Sequence, residues 1–311
     1  MATGTRCGQC SKCAQGGAAA RWKGRRLMSF TLFQILNSLT FAALLFLVAS
    51  GFTLIFGLMR IVNLAHGAMY LMGGYVAYAA ATYTGSFILG IIAAAVVITL
   101  LGLIEQSLLR FVKRAELRQV LLTLGFSLVL NDAALVIFGG DTFSVPLPAI
   151  LKGPLEFMGM SYPRYRLFVL GVGIVVLVLL VLLMTRTRLG ALIRAGVDDA
   201  ETVEAMGINI RKVFVITFML GMTLAGMAGA LGGAFLSIYP SADSEILVFS
   251  LAVVIIGGRG SLIGAALGSL AVAFLSTFGQ VWFPELAYFV IFGPMALLLA
   301  FRPHGLFGRA A

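Results

Sequence analysis

The fold class this sequence predicts is an all-α polytopic membrane protein of about eight transmembrane helices, some interrupted by glycine or re-entrant. Three observations predict it. Hydrophobic residues make up 60% of the 311 positions and charged residues only 11%, with a mean hydropathy of +1.05; soluble domains do not have this composition. Apolar runs such as Phe87–Leu109 and Val213–Ile238 reach the roughly 20 residues that a helix needs to cross a hydrocarbon core. The runs are continuous rather than alternating, which selects helices over the strands of an outer-membrane barrel. The net charge of +10 comes from basic residues flanking apolar spans, as membrane topology requires, so it does not indicate nucleic-acid binding.

Taken in order, residues 1–27 precede the first span. They carry Arg6, Lys12, Arg21, Lys23, Arg25 and Arg26 and lack the apolar core of a signal peptide. Cys7, Cys10 and Cys13 form CxxCxxC without a fourth ligand nearby, which leaves a closed metal site incomplete, so no metal is expected. The first span is expected at about 32–56 and the second at about 64–83. Between them GLMRIVNLAHGAMYLMGG, Gly57 to Gly74, places Arg60, Asn63 and His66 between two apolar runs. Two readings stand here. One is a helix break whose free terminus faces a translocation path. The other is a short turn with Asn63 capping the second helix and His66 in its first turn.

The third and fourth spans are expected at about 87–109 and 119–138, joined by a loop with Arg110, Lys113, Arg114 and Arg118. Glu105 ends the third span, where it can pair with that basic cluster. Asn131 and Asp132 lie within the fourth, Asp132 pairing with Asn131 or with Arg60, and acids inside a span are candidates for function. The connection 139–165 holds Pro146, Pro148, Pro154 and Pro163 and reads as an ordered or partly flexible loop. The fifth span follows at about 166–184.

Residues 185–212 are a charged island. From Arg186 to Lys212 they include Arg188, Arg194, Asp198, Asp199, Glu201, Glu204 and Arg211. Such a segment cannot lie in hydrocarbon and must project into water. DDAETVEAMG, Asp198–Gly207, predicts a short helix over about 198–206 stopped by Gly207. A helix of this kind suits docking into a groove of a soluble domain; the bland reading is a solvated loop. Two spans separate the island from the 110–118 loop, so both face the same side, the cytoplasm by the positive-inside rule. That parity places the N-terminus outside, against six basic residues. A start at Met28 removes the conflict, and residues 1–27 are therefore read as a non-native or dispensable extension to a transmembrane domain of 28–311.

The sixth span, about 213–237, carries Gly221, Ala225, Gly229 and Gly233 at a spacing of four, a ridge for close helix packing. The seventh, about 246–278, is long for one span and contains IIGGRGSLIGAALGS. There Gly260, Gly264 and Gly268 form a second ridge, while Gly257, Gly258 and Arg259 break the run and stand either on a path or at a packing contact. An eighth span at about 286–301 leaves Arg302 and Arg309 on the outer side.

No enzyme site is present. No lysine is followed by Ser or Thr, so the chain has no P-loop, and it contains neither GxSxG nor a His–carboxylate cluster. If transport uses ATP, the ATPase is another polypeptide.

Four stretches carry a resemblance. GFTLIFGLMRIVNLAHGAMYLMGGYVAY, LLTLGFSLVLND, the island through ITFMLGMTLAGMAGALGG, and VVIIGGRGSLIGAALGS look like the branched-chain amino acid ABC permease family, most of all its H-type subunit, over about 29–308. Glu201 and Gly207 match the spacing of the ABC coupling motif, with Thr202 and Val203 in place of its two alanines. The resemblance implies an ABC importer permease fold in the inner (plasma) membrane. It also implies a second homologous permease, two cytoplasmic ATPases holding ATP and Mg, and a periplasmic binding protein. Arg194, Asp198, Asp199, Glu201, Glu204, Gly207 and Arg211 are then expected in the coupling loop, and Asn63, His66, Asn131, Asp132, Gly257, Gly258 and Arg259 on the translocation path. Urea and short-amide permeases share these motifs, and an ion-coupled carrier using Asp132 or Glu105 is the further alternative.

Overall fold

The computed structural model describes residues 9–59, 62–112, 116–157, 160–258, 260–301 and 305, with backbone only for 9–29, 157, 160, 200, 287, 288, 291, 298 and 299. Arg60, Arg259 and Cys7 lie outside the described residues, as do Arg302 and Arg309.

Helix α1, Gln9–Met59, is the central pillar; its apolar part, 30–59, is largely enclosed by other helices. It packs against α5 (Arg164–Arg186) and α8 (Ile210–Phe235), while α2 (Ala65–Thr84) and α3 (Phe87–Phe111) pack on α8, and α4 (Glu116–Phe138) packs on α2. The island forms α6 (Arg188–Asp198) and α7 (Ala200–Ala205), and the C-terminal part forms α9 (Ala242–Gly257), α10 (Leu262–Trp282) and α11 (Ala287–Phe301). Among the described residues six helices are long and apolar enough to cross a membrane: 30–59 of α1, α3, α4, α5, α8 and α10. The outward faces of α3, α4 and α5 present Ile92, Val96, Leu128, Val136, Val175 and Leu179. Leaving them uncovered is favourable only in lipid.

Close helix contacts follow the glycine ridges. Gly221 meets Gly51 and Ile55 of α1, Gly229 meets Tyr70 and Gly74 of α2, Gly233 meets Ile238 and Val145, and Ala225 is fully buried. Small residues let the backbones approach, which is how helices associate where no hydrophobic force separates them from lipid. Hydroxyl groups add local ties: Tyr165 Oη donates to the Leu231 carbonyl at 2.7 Å, and Thr40 Oγ1 bonds Tyr162 Oη at 3.1 Å, fixing the start of α5 to α8 and α1.

The 139–163 connection is ordered over its described residues. It contains a 3₁₀ turn at Ala149–Leu151 and an antiparallel hairpin of β1 (Pro154–Phe157) and β2 (Met160–Pro163). Phe143 pairs with Ile238 through an isolated bridge, so this loop covers the exit of α8.

The expected count of eight spans is not confirmed, and one expected span divides. The run 246–278 is two helices: α9 ends at Gly257, the chain turns through Gly258 and Gly260, both at positive φ, and α10 starts after the cap at Ser261. The two run antiparallel, Gly264 against Gly257 and Gly268 against Val253. The physical reason is the glycine density: without Cβ atoms the backbone can enter left-handed conformations and the two helices can touch. Splitting this run reverses the direction of everything after it. Gly305 rests on Gly258 and Ile255, and Gly260 rests on Gly57 and Val197 of the island. The end of α11 therefore returns to the island face, contrary to the expected outer position.

Candidate functional site

Two helices begin in the interior. His66 Nε2–H donates to the Val48 carbonyl at 3.0 Å. Val48 lies about 16 Å up α1 from its Met59 end at 1.5 Å per residue, so α2 starts deep in the bundle. From the opposite face, the chain after Phe235 descends past Gly74 and Gly233 at Ile238 to begin α9 at Ala242. The two N-termini meet, with Gly67 against the backbone of Asp243. Irregular backbone at such depth survives only where protein or a cavity surrounds it.

The side chains at this junction are polar and buried. Asn63 Oδ1 accepts from the Ala65 N–H at 2.8 Å, and the Leu64 N–H donates to Thr123 Oγ1 at 3.3 Å. Asn63 thus holds the first amide of α2, at a break that lies deep in the bundle, and neither Asn63 nor His66 lines the cavity described below. His66 packs edge-on to Phe52, ring centroids 5.5 Å apart. Glu105 is fully buried and turned inward toward Asn63 without closing a hydrogen bond, rather than pairing with the exposed Arg110. The carboxyl oxygens of Glu105, Asn63 Nδ2 and His66 Nδ1 have no hydrogen-bond partner among the described residues. Asn131 Nδ2 donates to Asp243 Oδ2 at 2.7 Å, tying α4 to the start of α9. Asp132 is exposed on the outer surface of α4 and does not share this bond, in contrast to its expected pairing with Asn131. Gly257 and Gly258 sit in helix contacts with Gly264 and Gly305.

Toward the face opposite the island the bundle holds a cavity of about 320 Å³. It is walled by α1, α5, the end of α8, the start of α9 and the last turns of α10, and Tyr70 of α2 reaches it. Arg166 and Glu245 both line it, with Phe41, Ile246 and Phe249 between helices as apolar wall. Sequence reasoning missed this site. Arg166 falls at the start of the expected fifth span and Glu245 between the expected sixth and seventh spans. Their separation along the chain hid that α5 and α9 share one wall.

On the island face, α6 is amphipathic. Ile193 is buried, Gly190 lies on the backbone of Leu183 and Met184, and Gly196 touches Leu58 and Ile210. Arg194 donates to the Met184 carbonyl. Asp199 caps α7, accepting from the N–H groups of Glu201 (3.0 Å) and Thr202 (3.1 Å) and from the Thr202 hydroxyl. These bonds, the Thr202 hydroxyl first, hold its carboxyl below the usual carboxylate range. Val203 anchors α7 inward, while Glu201, Glu204 and Met206 point out; Met206 is 73% exposed. Gly207, at φ +81°, ends the helix and its N–H bonds the Glu204 carbonyl at 3.0 Å. Asp198, Arg211 and Lys212 are exposed beside it. The sequence predicted α7 nearly in place and did not anticipate α6.

Residues 34–299 match the family described as branched-chain amino acid transport system / permease component. Among curated relatives, the high-affinity branched-chain amino acid transport system permease protein BraD of Pseudomonas aeruginosa is 30% identical over 300 residues, covering 89% of this chain and 96% of BraD. Its counterpart LivH of Salmonella typhimurium is 27% identical over 90% of this chain and 96% of LivH. The ribose import permease protein RbsC of Escherichia coli is 26% identical over 79% of this chain and 78% of RbsC. No solved structure matches the chain significantly. With a family match that spans most of the bundle and relatives aligned nearly end to end, this chain belongs to the branched-chain amino acid transport permease family.

Proposed function

We propose that the chain is the permease subunit of an ATP-driven importer carrying branched-chain amino acids across the inner membrane. The observation that carries this is the alignment of nearly the whole bundle with transport-system permease components. The chain itself has no nucleotide-binding motif, so ATP and Mg belong to two partner ATPases on the cytoplasmic side. A second homologous permease completes the path, and a periplasmic protein delivers substrate.

The island is the coupling device in this reading. α7 offers an exposed, capped, acid-fronted helix to the ATPase, with Glu201, Glu204 and Met206 outward. α6 then carries displacement inward, because it touches α1 at Leu58, α8 at Ile210 and, through Val197, the turn at Gly260 between α9 and α10. A push on the island so reaches α1, α8 and α9, which also wall the cavity on the other face. Asn63 and His66 at the break are read as hinge groups whose bonds change when α2 and α9 shift. The basic 110–118 loop and the island face the cytoplasm, and residues 1–27 are dispensable, consistent with a family match that begins at 34.

Reconstitution tests this. In liposomes holding the permease pair, ATPases and binding protein, ATP should drive uptake of leucine, isoleucine and valine and not of urea. Leucine uptake by this chain alone under an ion gradient would overturn the importer reading.

A further inference from the structure

The cavity on the face opposite the island carries one charge of each sign and an apolar wall. The Arg166 guanidinium is held by two uncharged groups: it donates to Asn37 Oδ1 and lies over the Phe235 ring, 5.1 Å from its centroid. Glu245 accepts a hydrogen bond from the Tyr239 hydroxyl, also uncharged. No ion pair joins Arg166 to Glu245 or neutralises either among the described residues. Both charges thus keep their full strength for a ligand, and both are oriented by neighbours that cost no charge. Between them, Phe41 meets Phe249 edge-on at 5.7 Å and Ile246 is buried. The volume of about 320 Å³ is that of a site for one small molecule.

We propose that this cavity is a receiving site for a zwitterion with an apolar side chain. The substrate carboxylate sits on Arg166, its ammonium on Glu245, and its aliphatic group against Phe41, Ile246 and Phe249. Guanidinium is suited to a carboxylate because it presents paired N–H groups, and the opposite charge across the cavity rejects molecules that bear only one of the two. This extends the importer reading: the permease itself, and not only the delivering protein, recognises the amino-acid head group.

The test is protection of a single thiol on the wall. With Cys7, Cys10 and Cys13 replaced by Ser, Thr277→Cys is introduced into the assembled importer and its modification by a small charged thiol reagent is timed. L-Leucine, leucinamide (no carboxylate) and 4-methylpentanoate (no ammonium) are the probes. Leucine should halve the rate at a concentration about tenfold lower than either analogue, the worth of one charge-assisted bond. Arg166→Gln should erase the advantage over leucinamide, Glu245→Gln that over 4-methylpentanoate, and Arg166→Lys should retain part of the former. Equal protection by all three probes, no protection, or a thiol that the reagent cannot reach would overturn the assignment. Leucine uptake without protection sinks the site and leaves the importer reading; protection without ATP-driven uptake does the reverse.

Discussion

Gly229 has no room for a methyl group. A Cβ there falls 2.8 Å from the Gly74 nitrogen and nearer still to the Tyr70 carbonyl. Gly229→Ala must part α2 from α8 and should cost about 1–3 kcal/mol, the usual range for overpacking. Gly207 is the contrasting case: nothing lies within 4 Å of its Cβ position, but its φ is +81°. Gly207→Ala should cost about 1–2 kcal/mol of local strain and leave the bundle intact. Thermal stability of the detergent-purified protein, followed by size-exclusion chromatography, should fall for Gly229→Ala and hardly move for Gly207→Ala. Asp199 gives a pH dependence. Its folded pKa is depressed, so its capping is complete above the ordinary carboxylate pKa of about 3.9 and is lost as pH falls through the lowered value. Protection of the α7 amides, corrected for intrinsic exchange, should be constant near neutrality and collapse only in acid. Asp199→Ala should lose it at neutral pH, whereas Asp199→Asn keeps an acceptor.

At the scale of elements, two buried helix starts and one exposed helix divide the work. Asn63→Ala removes the acceptor for the Ala65 N–H and should destabilise the start of α2 by about 1 kcal/mol. His66→Ala frees the Val48 carbonyl and leaves a void beside Phe52. Both variants should slow uptake while the ATPases still bind; normal uptake in both would reduce the break to a structural turn. Much of this was legible in the sequence. Hydropathy placed α1 to α5 and α8, and the charge island marked α7, because composition and charge are local. Depth is not local. Nothing in the GLMRIVNLAHG stretch states that α2 starts beside a point about ten residues back along α1, and the run 246–278 stays apolar on both sides of its turn. The cavity was hidden for the same reason, since Arg166 and Glu245 come to line one space only through the packing of α5 and α9 on α1.

For the whole molecule, the split of α9 from α10 sets the topology. Gly305 lies on Gly258, on the face where Gly260 meets the island residue Val197. A fluorescent protein fused after residue 305 should therefore fold and fluoresce in the cytoplasm, as should one inserted at the island; a dark, periplasmic C-terminal fusion would restore the eight-span order. The same arrangement joins the island to the cavity through α1, α8 and the turn at Gly258 and Gly260, the route we propose for coupling. The most direct test is to measure leucine uptake and ATP hydrolysis together in liposomes containing the complete importer, with the native chain and with Glu201→Arg. The native importer should take up leucine only with ATP. The variant, whose bundle is untouched, should lose about tenfold or more in leucine moved per ATP, as expected when a charge at a docking surface is reversed. An unchanged ratio would remove the island from the mechanism and contradict the account.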